Sequence, residues 1–202
     1  MIPIAAADAS GWATGAIQDL KLLGSQDALT AISGLPDGIV TIAYSGPAGE
    51  GLLPWGTEAW KCLEGSVGEL VAGSGQLLLR GHHEHVLADA PACLGWLDRC
   101  QESGHGCGIA LSPASMLAPA MLETMEDHLV RMFEYLGPRC QAVIIEDLHL
   151  SDGGAIRGVT VGKGILKGSL VGQLLDTHVP DSVPVVVQAV DLKEAQRWLW
   201  PD

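Results

Sequence analysis

The residues of this chain best equipped for chemistry stand just beyond two apolar runs. The first run ends as LLLRGHHEH, Leu77 to His85, and the second, QAVII, is followed by Glu146, Asp147 and His149. Imidazole nitrogens and carboxylate oxygens are the donors that hold Zn, Mn or Mg, so His82, His83, Glu84 and His85 form a candidate metal set. Ligands so close together on one loop cannot all converge on an ion without donors from another strand end. Glu146 is the natural completion, with Asp147 and His149 beside it. The alternative is a solvated polar loop, which is the reading preferred here. Glu146 and Asp147 are also a candidate acid and base pair. Neighbouring strand residues point to opposite faces, however, so at most one of them looks into a shared pocket. Arg80 is a permanent cation that binds carboxylates and cannot ligate a metal. Ser112 has no identifiable partner base, so it reads as a ligand position or the cap of the following helix rather than as a nucleophile. Lys163 in VGKG could cradle a phosphate, but glycines at that spacing serve equally as a turn, which is the reading preferred here.

What would position these groups is a series of parallel strand and helix units. Gly38 to Tyr44, Gln76 to Leu79, Cys107 to Leu111, Gln141 to Ile145 and Val183 to Gln188 are apolar without alternation, as in strands buried on both faces. Between them, Trp60, Leu63, Val67, Leu70 and Val71 recur at helical spacing. So do Leu122, Met125, Leu129, Met132, Phe133 and Leu136, ahead of a Gly137-Pro138 stop. Asp89 and Asp191 stand at helix starts as N-caps, and Ser169 is expected to cap the helix of Leu170, Leu174 and Leu175. Ile2 to Ala6 reads as a further strand, and Gly15 to Leu23 and Gln26 to Ile32 as helices. Chemistry in such folds gathers at the C-terminal ends of the strands, the positions of Arg80, Ser112, Glu146 and Gln188.

Composition narrows the function classes. The 202 residues are 48% hydrophobic, enough for a sizeable core, and residues 1–202 read as one domain. The formal charge of −13 would repel phosphate backbones and anionic lipid surfaces, which argues against nucleic acid and membrane as partners. Five cysteines, odd in number and without CxxC pairing, suit free thiols in a reducing compartment. With no leader pattern and no long apolar span, a cytoplasmic protein is expected.

From Leu77 onward the order of motifs resembles the xylose-isomerase-like TIM barrels, the superfamily of sugar isomerases, epimerases and related apurinic endonucleases. LLLRGH stands for that family's Leu-Glu-Asn-His strand, IALSPAS for its Leu-Asp-Pro-x-His strand, and HLVRMFEYLGPRC for the long helix closing in Leu-Gly. VIIEDL follows for Val-His-Leu-Lys-Asp, then VGKGIL for the Gly-x-Gly segment and VPVVVQ for the last strand, which ends in Glu. The resemblance implies a parallel (β/α) TIM-type barrel. A full barrel takes about 250 residues, so this chain is expected to hold about six βα units, the N-terminal ones missing. Sheet edges left open in that way would call for a homo-oligomer, a partner subunit completing the barrel, or an N-terminal segment that plugs the gap. Self-association is the preferred expectation.

The resemblance also implies a divalent metal held by Glu, Asp, His and Glu. Here those positions fall on Arg80, Ser112, Ile144 and Gln188, and Ser115 replaces a further histidine. None is an anionic ligand. His82 fills the family's own histidine position, and Asp147 matches an Asp the family keeps, more often for structure. The expected binding residues are therefore Arg80, His82, Ser112, Ser115, Asp147 and Gln188, with Glu146 the candidate catalytic group and paired with a buried Arg80. Two functions remain. One is a non-catalytic relative, without a cofactor, that serves as a binding or scaffolding domain and takes a small polyol, sugar-like compound or acid. The other is an active sugar or sugar-phosphate isomerase or epimerase, its divalent metal (Mn, Zn or Mg) relocated to His82, His83, His85 and Glu146.

Overall fold

A computed structural model describes residues 2–8, 10–17, 19–23, 29, 32, 34–71, 75–104, 106–151, 153–189 and 191–201. Three short strands open the chain: β1 (Ile4–Ala7), β2 (Ala13–Gly15) and β3 (Leu20–Leu22). Five strand and helix units follow. They are β4 (Val40–Tyr44) with α1 (Thr57–Val71), β5 (Gln76–Arg80) with α2 (Ala90–Ser103), and β6 (Cys107–Leu111) with α3 (Pro113–Met116) and α4 (Met125–Leu136). Next come β7 (Ala142–Ile145) with α5 (Gly168–His178), and β10 (Val185–Val187) with α6 (Leu192–Leu199). Between β7 and α5 stands an antiparallel arm, β8 (Asp147–Leu150) and β9 (Ile156–Val159).

The strands form one eight-stranded sheet in the order β2-β1-β10-β7-β6-β5-β4-β3, parallel except for β2. Its two ends nearly meet. Trp12 bridges Lys21, and the Leu22 amide donates to the Gly11 carbonyl at 2.5 Å, so β2 lies beside β3 and the sheet curls into a barrel. Gly11 makes this seam possible. Its φ is +84°, and a Cβ there would run into the Leu22 carbonyl oxygen. The inside of the barrel is a cluster of Ala5, Ala13, Leu20, Ile42, Leu78, Ala110, Ala142, Ile144 and Val186, which draws on every strand of the sheet. Only the interior of a closed sheet brings all strands to one place. The larger apolar cluster lies outside, between strands and helices: Leu77, Leu79, Ile109, Val143 and Val185 meet Leu63, Trp96, Phe133 and Leu175.

Asp89 caps α2, its Oδ1 accepting from the Ala92 amide at 2.8 Å, and Asp191 caps α6 through the Lys193 amide at 2.9 Å. Two expectations are corrected. Within the helix expected from Gly15 to Leu23, Gly15 ends β2 and Leu20–Leu22 form β3, because pairing with β1 and β4 captures them. The cap of α5 is Lys167 and not Ser169, which lies one residue inside the helix. β1 to β3 bring the two ends of the sheet nearly together, as in the alternative in which an N-terminal segment fills the gap. The helix expected over residues 26–32 falls largely outside the described residues.

Candidate functional site

Alternation along the strands lifts one inner layer above the apolar floor. Ile42, Leu78, Ala110, Ile144 and Val186 line the interior, and two residues further on stand Tyr44, Arg80, Ser112, Glu146 and Gln188 at the barrel mouth. Arg80 is the centre of this layer, with 2% of its surface exposed. Its Nη2 donates to Ser112 Oγ and to Glu146 Oε2, each at 2.8 Å, and its guanidinium carbon lies 4.2 Å from the centre of the Tyr44 ring. A guanidinium withdrawn from water needs such company, and the pairing expected between Arg80 and Glu146 is present. Arg80 Nε is the exception, buried without a hydrogen-bond partner.

Above Arg80 opens a cavity of about 360 Å³, bordered by Tyr44, His82, His83, Ser115, Glu146 and Leu148 and, on the β8–β9 arm, by Ile156, Arg157 and Gly158. The arm folds down onto Glu146. A Cβ on Gly158 would stand 2.7 Å from Glu146 Oε2, so the glycine lets the arm backbone rest against the carboxylate.

The histidine loop is held by backbone bonds: the His82 amide donates to Leu87 O, the His83 amide to Ser115 O and the Val86 amide to Gly46 O. Its rings stack, His82 on His83 at 4.4 Å and near His85 at 4.5 Å, with Tyr44 edge-on to both His82 and His85. Burial disfavours the charged forms of His82 and His85. It lowers the pKa of His82, with the neighbouring His83 adding to the effect, and brings His85 down to about 4, assisted by His82, His83 and Arg80. Burial likewise pushes the Tyr44 phenol up to about 12. Neutral rings have defined tautomers. His82 Nδ1 accepts from the Glu84 amide at 3.2 Å, which leaves Nε2 as its N–H donor. His83 Nδ1 faces the Ser115 carbonyl at 3.3 Å, which can only accept, so that nitrogen carries the proton.

Other expected residues serve the scaffold. Asp147 is fully buried and faces away from the cavity: Oδ1 accepts from the Leu148 and Leu166 amides at 2.7 and 2.9 Å, and Oδ2 from the Gly164 amide at 2.7 Å. Its carboxylate is fully engaged in holding the 161–166 turn, so it is not free to bind a ligand. That turn is the VGKG segment, where Lys163 N donates to Thr160 O. Ser112 stands at the N-cap of α3, but its hydroxyl goes to Arg80 rather than to the helix. The Ser115 hydroxyl lies 2.7 Å from Gly81 O and 2.9 Å from Ser112 O, tying α3 to the end of β5. Gln188 is half-buried past β10, its backbone bonded to Ile145 and Val161, and does not border the cavity. His149 pairs with Arg157 on the arm but, unlike Arg157, does not border the cavity.

The metal implied by the resemblance does not fit these residues. Arg80 fills the mouth with a positive charge and binds Glu146, the carboxylate that borders the cavity among the described residues, while Ile144 is part of the apolar floor. The relocated set is split as well. His82, His83 and Glu84 each offer a ligand atom within 4.8 Å of the others. The His82 and His83 planes are only 24° apart, and an ion in the plane of one ring would lie well out of the plane of the other. His85 is drawn inward, its Nδ1 buried and without a partner.

The β8–β9 arm, with Ile156, Arg157 and Gly158, is the part of the site that sequence reasoning missed. Its signal was SDGGA between Leu148-His149-Leu150 and Ile156-Arg157-Gly158-Val159, an Asp-Gly turn between short apolar runs.

No protein-family model and no curated protein matches the chain. Among solved structures it is similar to L-ribulose 3-epimerase, at 12% identity and a TM-score of 0.50, over 81% of this chain and 54% of that one. It is also similar to the IolI protein with a bound zinc atom (12% identity, TM-score 0.47, 79% of this chain and 59% of that one). A third is the probable 3-DHS dehydratase AsbF of Bacillus anthracis (16% identity, TM-score 0.46, 80% and 60%). The likeness to the epimerase shows a shared barrel fold, and the chain spans less than two thirds of the length of each of these structures.

Proposed function

We propose that this barrel binds a small polyhydroxylated compound, a sugar or polyol, at the mouth cavity and does so without metal-dependent isomerisation. The observation that carries the reading is the Arg80 bridge to Glu146 and Ser112, which puts a fixed cation and its counter-ion where the resemblance implies a metal. Above the bridge the chain offers matched hydrogen-bonding groups. His82 Nε2 donates, the His83 ring borders the same space, and Glu146 Oε1 is the carboxylate oxygen not bonded to Arg80. Tyr44 and Leu148 supply apolar wall for the C–H faces of a sugar ring. Proton transfer from carbon would need an unpaired base, and Glu146 is held by the guanidinium.

The test is calorimetry with a panel of pentoses, hexoses, alditols and aldonates, alongside an assay for aldose–ketose and epimer conversion. Binding that is lost in His83→Ala, without conversion, supports the reading. Turnover by the purified protein would overturn it.

A second reading is an active isomerase or epimerase using a relocated metal. It is favoured by the spacing of His82, His83 and Glu84 and needs the imidazole stack to open. Elemental analysis decides between them: about one Mn, Zn or Mg per chain, lost in His82→Ala, would select the enzyme.

A further inference from the structure

Far from the mouth, two thiols share a cavity. Cys100 lies in the last turn of α2 and Cys107 opens β6, joined by a loop in which Gly104 takes the left-handed conformation that ends the helix. The two side chains are 7% and 6% exposed. Both border a cavity of about 330 Å³ together with Leu97, Gln101, Arg139 and Gln141, and Cys100 also borders a second cavity, of about 410 Å³, between α1 and α2. Small solutes therefore have a route to sulfurs that look inaccessible by area. Cys93 and Cys140 are buried and border neither cavity, and Cys62 is exposed on α1.

We propose that Cys100 and Cys107 form a reversible disulfide with hydrogen peroxide as the oxidant, stapling the end of α2 to the start of β6. The neighbouring thiols act on one another: Cys107 lowers the pKa of Cys100, while Cys100 together with burial raises that of Cys107. Cys100 is thus the attacking thiolate and Cys107 the resolving thiol. In the first step the Cys100 sulfur takes one oxygen of peroxide, the O–O bond breaks, and the sulfur becomes a sulfenic acid. The released hydroxide takes up a proton to become water. In the second step the Cys107 sulfur, giving up its proton, attacks Cys100 sulfur; the S–S bond forms as the S–O bond breaks, and a second water leaves. Two thiols and one peroxide yield one disulfide and two waters. The staple sits at the N-terminal end of β6, away from the mouth, so ligand binding there is expected to survive it.

The test is peroxide treatment of the full chain followed by alkylation and peptide mapping. The expected result is a Cys100–Cys107 link, loss of two hydrogens in intact mass, reversal by dithiothreitol and a higher Tm in the oxidised form. Cys107→Ser should leave a Cys100 sulfenic acid that dimedone traps, and if that variant does not fold, dimedone competition on the unaltered chain reads the same intermediate. Links that run mainly through Cys62, irreversible sulfinic or sulfonic acid at Cys100, or no change at either residue would each overturn the proposal.

Discussion

Arg80 Nη2 and Glu146 Oε2 meet at 2.8 Å at the mouth of the barrel, between strands that have β6 standing between them. With 2% and 10% of their side chains exposed, neither charge can be released to water without moving a strand end. Removing one partner strands the other in low dielectric, at a cost of about 3–5 kcal/mol. Arg80→Met should lower urea stability by about that much, and Arg80→Met with Glu146→Leu should recover most of it. A single substitution costing under about 1 kcal/mol would mean that the pair is solvated.

The β2–β3 seam rests on Gly11. Gly11→Ala places a methyl against the Leu22 carbonyl and also carries the strain of a left-handed L-residue, about 1–2 kcal/mol. The expected outcome is a loss of at least about 2 kcal/mol, with faster hydrogen exchange in β2 and β3. Opening the seam frees strand edges, so this variant should associate in light scattering more than the unaltered chain does. Identical scattering and exchange would show that the seam contributes nothing.

Asp147→Ala removes the acceptor for three amides at once. Hydrogen bonds to a charged group are worth about 1.5–3 kcal/mol each, so a loss of about 3 kcal/mol is expected once water has replaced part of the set. The amides of residues 161–166 should then exchange faster, while those of β5 and β6 stay protected. Uniform loosening of the whole barrel would contradict a local role.

Acid should weaken the fold through the histidine stack. His85 has its folded-state value lowered from 6.5 to about 4, and His82 is lowered as well, so the unfolded chain takes up these protons first. Stability therefore falls as pH drops from about 6.5 to about 4 and levels off for these groups below that. Calorimetric Tm across this range should show the slope, and His85→Phe, which keeps a ring beside Tyr44, should flatten it. An unchanged slope in the variant would assign the effect elsewhere.

The sequence by itself determined the scaffold from residue 38 onward. The continuously apolar runs became β4, β5, β6, β7 and β10, because strands covered by helices on one side and a barrel interior on the other have no polar face to show. The caps Asp89 and Asp191 were legible because a cap satisfies backbone amides two or three residues away, a purely local bond. Even the division of labour between Glu146 and Asp147 followed from strand alternation.

What only the tertiary structure decided was everything that depends on partners distant in sequence. Residues 15–23 carry helix-like spacing, yet sheet edges on β1 and β4 offer them backbone bonds that a short isolated helix cannot match. The cluster LLLRGHHEH leaves a metal loop open as a reading until Ser115 and Leu87 fix its backbone, its imidazoles stack, and Glu146 is taken by Arg80 from 66 residues away. Residue types and spacing specify which donors are present. Whether those donors converge on an ion or on one another depends on the orientation and burial that the closed sheet imposes.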